Sequence, residues 1–292
     1  MKNQIGIVSY FSTGAYDTNT IDENKLLSTI LDELGLPNKV VAWSDQQIDW
    51  SSFSTLLIKS TWDYFDFYPE FLGWLAHIKS LSIPVYNDLD RIQWNSDKRY
   101  LFEIQKSGFD VTAGLLLEKG SDFSAELLEN ELKSKDWVIK PLVSGGAKNT
   151  FRLFAETFDR QKPFIQNLLQ QESFLAQNFM QEVEEVGEYS LLFFNGKFSH
   201  AVLKTPAKKD FRVQHYFGGV IKNITPKQTM QAKCQELVNE FAPSCLYARV
   251  DGIEVGGKFN LMELELIEPY LFLSSSEEGL RNYKNALKKR LV

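Results

Sequence analysis

Short apolar runs alternate with amphipathic stretches over residues 1–95, the rhythm of β-α-β units built on a mostly parallel sheet. Residues 5–10 read as a strand. Over 23–34 the apolar positions Leu26, Leu27, Ile30, Leu31 and Leu34 fall at helical spacing, and Gly35 and Pro37 end the pattern. Strands are predicted at 40–43 and 55–58, a helix at 69–81 and a short strand at 84–86. Asn95-Ser96-Asp97 supplies N-cap chemistry for a helix through Leu101, Ile104 and Gln105, which Gly108 stops. Residues 112–182 read as a second, smaller α/β segment, with helices near 123–133 and 160–170 and strands at 137–140, 151–154 and 175–179. After it the pattern turns antiparallel. The runs 189–194 and 197–203 flank Asn195-Gly196, a strong hairpin signal.

Composition narrows the class. The 292 residues allow one large unit or two to three smaller ones, and 43% hydrophobic with 13% aromatic content excludes a disordered chain. With 32 Lys and Arg against 38 Asp and Glu, the net charge of −6 argues against a protein that coats nucleic acid or an acidic membrane. No apolar run is long enough for a signal segment or a membrane span, so a cytoplasmic protein is expected. Cys234 and Cys245 make no disulfide framework, and no Cys/His cluster has zinc spacing.

The most informative segment, residues 248–266, reads as a hairpin carrying Arg249, Asp251, Glu263 and Glu265. A two-residue Gly256-Gly257 turn with regular pairing would set Asp251 opposite Met262 and turn it away from the two glutamates. A three-residue loop, Gly256-Gly257-Lys258, sets Asp251 opposite Glu263 and Arg249 opposite Glu265, and is the expected form. Three carboxylates on one sheet face repel one another unless a cation lies between them, and hard oxygen ligands suit Mg²⁺. Asp251, Glu263 and Glu265 are therefore the expected metal site.

Magnesium on few carboxylates usually bridges phosphates. Lys140 ends an apolar strand and precedes a loop whose Ser144-Gly145-Gly146 brings backbone N–H groups within reach of phosphate oxygens. Neither a Walker sequence nor G-x-G-x-x-G occurs. Lys98, Lys204 and Arg212 fall at comparable helix or strand ends, and with the acids they make the outline of a polyphosphate clamp.

In order, these motifs resemble the ATP-grasp superfamily, in the branch of bacterial glutathione synthetase and RimK-type ligases and more narrowly the cycloserine-forming synthetase group. The resemblance covers nearly the whole chain. It implies an α/β fold: an N-terminal parallel-sheet preATP-grasp domain over 1–96 on the substrate side, and an ATP-grasp domain over 97–292 that carries a small α/β lid over about 112–182 and an antiparallel C-terminal sheet. It implies ATP contacts from Lys98, Lys140, Ser144, Gly145, Gly146, the adenine hinge Gln177-Asn178-Phe179-Met180, Lys204 and, at the ribose, Glu188, with Glu184 and Glu185 as alternatives. Arg212 and Arg249 are the implied catalytic residues, and two Mg²⁺ ions accompany ATP. Glu265 departs from the branch, which usually has an amide there.

The implied reaction is ATP-dependent activation of a carboxylate as an acyl phosphate, opened by an amine, on a small amino-acid-like substrate. A kinase on the same scaffold and a non-catalytic nucleotide-binding protein are the competing readings. No nucleic acid or membrane partner is expected. Thr61-Trp62-Asp63 follows a predicted parallel strand, and ligands of open parallel sheets lie beyond strand C-termini. These three are the expected substrate residues, with Asp63 placed to hold an ammonium group; an aromatic loop packed between domains is the other reading of the same residues.

Overall fold

Ile5, Ile7 and Val8 are buried on both faces of β1 (Gln4–Ser9), which accounts for the unbroken apolar run: parallel strands are covered on each side. The computed structural model describes residues 4–11, 17–207 and 219–292. β1 lies between β2 (Asn38–Ala42) and β3 (Phe53–Ser60), with β4 (Val85–Tyr86) beyond β3, all parallel. On one face, α1 (Asp17–Glu33) buries Leu27, Ile30 and Leu31 against Ile5, Ile7 and Leu57. On the other, α2 (Tyr68–Ser80) buries Phe71, Trp74, Leu75 and Ile78 against Val8, Leu56 and Ile58.

The chain then crosses through α3 (Leu89–Asn95) and α4 (Tyr100–Lys106). The sequence reading missed α3 and opened the next helix too early. Its cap residues are recruited elsewhere. Asn95 bonds the Leu264 carbonyl (2.7 Å) and the Leu266 amide (2.8 Å), the Lys98 amide bonds the Leu142 carbonyl (3.0 Å), and Asp97 caps the Arg99 amide (2.9 Å).

A four-stranded sheet follows, in the order β5 (Gly114–Leu117), β8 (Phe174–Asn178), β6 (Asp136–Pro141), β7 (Phe151–Phe154), every neighbouring pair antiparallel. Antiparallel pairing therefore begins earlier than the sequence pattern indicated. α5 (Ala125–Leu132) and α6 (Phe158–Leu169) close a core of its own around Trp137, Ile139, Leu153 and Phe174.

After α7 (Glu182–Glu185), a five-stranded antiparallel sheet has the order β11 (Val220–Ile224), β10 (Lys197–Thr205), β9 (Glu188–Phe194), β12 (Tyr247–Val255), β13 (Lys258–Glu265). Asn195 and Gly196, both at positive φ, turn β9 into β10. Alternation sends Leu191, Phe193 and Val250 toward α8 (Gln228–Phe241) and Leu192 and Phe194 toward α9 (Glu277–Leu291) and the parallel sheet. Among the described residues no helix is long and apolar enough to cross a membrane.

One detail of this sheet corrects the sequence reading. The β12–β13 turn has two residues, Gly256-Gly257, with Val255 opposite Lys258. The parity is restored by a β-bulge: Gly252 faces Leu261 and Asp251 faces Glu263, so Met262 is the extra residue. A Cβ at Gly252 would stand 2.4 Å from the Asn260 carbonyl oxygen and 2.4 Å from the Phe259 ring, so the kinked ladder needs glycine there. The expected pairs Asp251/Glu263 and Arg249/Glu265 form, through a different count.

Candidate active site

The three sheets converge on a cavity of about 530 Å³. Its acidic wall is the end of β12–β13, and the bulge lets consecutive Met262 and Glu263 both reach it, one apolar and one charged. Asp251, 2% exposed, is saturated. It accepts from Ser190 Oγ (2.7 Å), Lys204 Nζ (2.9 Å) and Arg249 Nη2 (2.8 Å). Arg249 also bonds Glu265 and the Tyr270 carbonyl (3.1 Å). Lys204 bonds Glu188, its neighbour on β9, at 2.5 Å. Lys98 Nζ lies 3.2 Å from Glu263 and donates to the Ser144 carbonyl at 2.7 Å, joining the acidic wall to the loop after β6.

The charge balance is uneven along this wall. Burial works against the ionised form of Asp251, yet Arg249 and Lys204 outweigh it and hold the carboxyl well below the usual range. Glu263 is lowered in the same way, burial being overcome by Lys98 and Lys140. Glu265 goes the other way: burial, with Asp251 and Glu263 close by, raises it to about 7 despite Arg249. Burial and then Glu265 push Glu268 well above the carboxylate range. At the far end of β13 burial outweighs the cations present.

The four-stranded sheet and its loops supply the opposite wall. Lys140 lines the cavity, and its ammonium makes no hydrogen bond or ion pair among the described residues; burial pulls it below the usual lysine range. Ser144, Gly145 and Gly146 line the cavity as well. A Cβ on Gly145 would stand 2.7 Å from the Phe65 ring, so the loop rests directly on the N-terminal domain. Gln177, Asn178, Phe179 and Met180 form the cavity edge where β8 ends. Gln177 donates to the Thr112 carbonyl (2.9 Å) and Asn178 to the Leu132 carbonyl (2.9 Å), which fixes this edge from both sides. Arg152 lies 3.4 Å over the Phe179 ring and is paired with Asp136 (2.7 Å) and Glu184 (2.6 Å). Glu184 is thereby committed to Arg152, while Glu188 lines the cavity.

Of the expected substrate residues, Trp62 lines the cavity and donates from Nε1 to the Glu268 carbonyl (2.9 Å). Thr61 is fully buried behind it, and Asp63 accepts from Trp43 Nε1 (2.6 Å) away from the cavity wall. Arg212 lies outside the described residues. Sequence reasoning passed over Glu268, Tyr270 and Asn95, which also line the cavity. Glu268 and Tyr270 lay within reach of the argument, since they follow the acidic strand by only a few residues.

Among the described residues no three His, Cys, Asp or Glu side chains gather on one point as a metal set would. The three expected acids stand interleaved with Arg249, Lys204 and Lys98. The donor chemistry still suits Mg²⁺, which takes one or two carboxylates and completes its shell with phosphate oxygens and water. Glu263 and Glu265, spaced to share one face of β13 and partly exposed to the cavity, are that kind of pair.

Comparison with known proteins bears on both halves of the chain. Residues 5–87 match the family described as the D-cycloserine synthetase DcsG N-terminal domain, and residues 121–272 match the prokaryotic glutathione synthetase ATP-grasp domain. The cycloserine biosynthesis protein DcsG of Streptomyces lavendulae is 27% identical over 276 residues, covering 88% of this chain and 90% of that protein. The crystal structure of D-cycloserine synthetase DcsG superposes with a TM-score of 0.86 at 23% identity, over 99% of this chain and 100% of that one. A D-alanine–D-alanine ligase from Bacillus anthracis complexed with ATP superposes at 0.71 with 13% identity, over 99% of this chain and 98% of the other.

Proposed function

We propose, from the premise that this chain belongs to the family of the prokaryotic glutathione synthetase ATP-grasp domain, that it activates a small carboxylate as an acyl phosphate for attack by an amine. The matched segment, 121–272, is more than half of the 292 residues. The chain is an ATP-grasp carboxylate–amine ligase, and ATP is its energy source. In this reading residues 1–96 are the substrate-side domain and 97–292 the ATP-grasp unit, with 112–182 as a lid that excludes water.

The observation that carries the reading is one cavity in which Lys98, Lys140, Lys204 and Arg249 face Asp251, Glu263 and Glu265. Phosphoryl transfer needs alignment and charge neutralisation more than covalent help. The hinge residues Gln177 to Met180 hold the base and Glu188 the ribose. Lys98, Lys140 and the N–H groups of Ser144, Gly145 and Gly146 hold the phosphates, and Lys204 turns from its acids toward them. Mg²⁺ would be held by Asp251, Glu263 and Glu265 and would supply charge neutralisation for the phosphates. Arg249, joined by Arg212, orients the acyl phosphate and steadies the oxyanion, a task suited to a planar guanidinium. The substrate is a small amino acid. Supporting this are the relative named for cycloserine biosynthesis and the structural neighbour named for joining D-alanine.

Turnover with ¹⁸O-carboxylate amino acids, ATP and Mg²⁺ tests the mechanism. The label is expected in free phosphate, and turnover without label transfer overturns the acyl phosphate.

A further inference from the structure

Five consecutive residues after the acidic strand have their backbones tied down by side chains from both halves of the molecule. The Tyr247 hydroxyl donates to the Ile267 carbonyl (2.7 Å), Trp62 to that of Glu268 (2.9 Å), Lys59 to that of Pro269 (2.9 Å) and Arg249 to that of Tyr270 (3.1 Å). The Leu271 amide donates to both Glu23 oxygens (2.9 and 3.0 Å), and its carbonyl lies 3.0 Å from His200 Nε2. Lys59 and Glu23 are themselves paired at 2.7 Å, each 2% exposed. Side-chain grips this dense fix where the segment points.

The segment holds Glu268 against the cavity, beside Trp62 and Tyr64. Every other acid on the wall has a cation: Glu188 has Lys204, Asp251 has Arg249 and Lys204, Glu263 has Lys98 and Glu265 has Arg249. The Glu268 carboxylate makes no hydrogen bond or ion pair among the described residues. Asp63, the acid the sequence offered for an ammonium group, is spent on Trp43.

We propose that Glu268 is the specificity residue that receives the ammonium group of the amino-acid substrate, an assignment that rests on the ligase reading above. A carboxylate held in a half-buried wall without a partner costs free energy that an incoming cation recovers. Burial, and then the nearby Glu265, raise this carboxyl well above the usual range despite Lys98 and Arg249. The adjoining walls are aromatic, which suits an ammonium group, whereas a divalent ion seeks further oxygens and water.

Calorimetric titration of wild type and Glu268→Gln, each saturated with Mg²⁺ and a non-hydrolysable ATP analogue, tests it. The probes are D- and L-alanine and D- and L-serine, each set against its des-amino acid, propionate or 3-hydroxypropionate. The substitution is expected to weaken the preferred amino acid by about 10- to 100-fold. Affinity for the des-amino acid and the nucleotide stays unchanged and the melting temperature does not fall. An amino-over-des-amino preference that survives in Glu268→Gln overturns the assignment, as does a change confined to the Mg²⁺ requirement. Label transfer to phosphate by wild type, measured in parallel, distinguishes the two ways of failing: with transfer intact, a surviving preference sinks Glu268 alone, and without transfer the acyl-phosphate reading falls first.

Discussion

Lys140 and Lys204 face one cavity from two sheets, and their surroundings are opposite. On the five-stranded sheet, burial would discharge Lys204, but Asp251 and Glu188 outweigh it and hold the ammonium above its usual pKa. On the four-stranded sheet, burial dominates and Lys140 stands below the usual range with Glu263 only partly offsetting it. One lysine is part of what holds the sheet end together. The other is a half-buried cation with no hydrogen bond or ion pair among the described residues. The regions differ in the same sense: the four-stranded sheet packs a core of its own with α5 and α6, whereas the five-stranded sheet shares its core with α8, α9 and the parallel sheet.

Four substitutions press on that contrast, with a fifth as a control. The largest effect is expected from Glu263→Gln, the acid between Lys98 and Lys140. Turnover should fall by about 10²- to 10³-fold with the circular dichroism spectrum unchanged, and full activity at limiting Mg²⁺ would remove this acid from the site. Lys204→Met leaves Asp251 and Glu188 short of charge, so urea unfolding should show a loss of about 3 kcal/mol. An unaltered urea midpoint would erase the distinction between the two lysines. Gly252→Ala drives a methyl group into the Asn260 backbone, with a loss of about 2 kcal/mol; the control, Gly145→Ala, meets only the Phe65 side chain and should lose less in the same assay. The smallest effect belongs to Lys140→Met, with ATP affinity down about tenfold and stability within about 0.5 kcal/mol of wild type. Equal affinity for ATP would mean that the lid lysine is not awaiting phosphate.

How far the sequence discloses this arrangement depends on the range of the interaction. The strands and helices of residues 5–81 follow from local periodicity, because each buries a face against near neighbours. The hairpin pairs Asp251/Glu263 and Arg249/Glu265 were legible because an acid strip and an apolar strip must align. Their route was not, since an odd loop and an even loop with a bulge give the same parity, and only Gly252 inside a strand hinted at the second. The cap at 95–97 failed for a different reason. Asn95 bonds atoms 169 and 171 positions away, and no local rule weighs such a partner against helix capping. Asp63 illustrates the same limit: an acid beyond a strand end suits a substrate amine, but Trp43, on the neighbouring turn, claimed it.

The bulge at Met262 separates two properties that usually travel together in a strand. Shortening the chain by that single residue would straighten the ladder and leave both glutamates opposite their present partners, taking only a thioether from the cavity lining. Length and chemistry are thus written independently at this hairpin, and a shortened variant would lose one apolar side chain from the pocket while its acid pairs stayed in register.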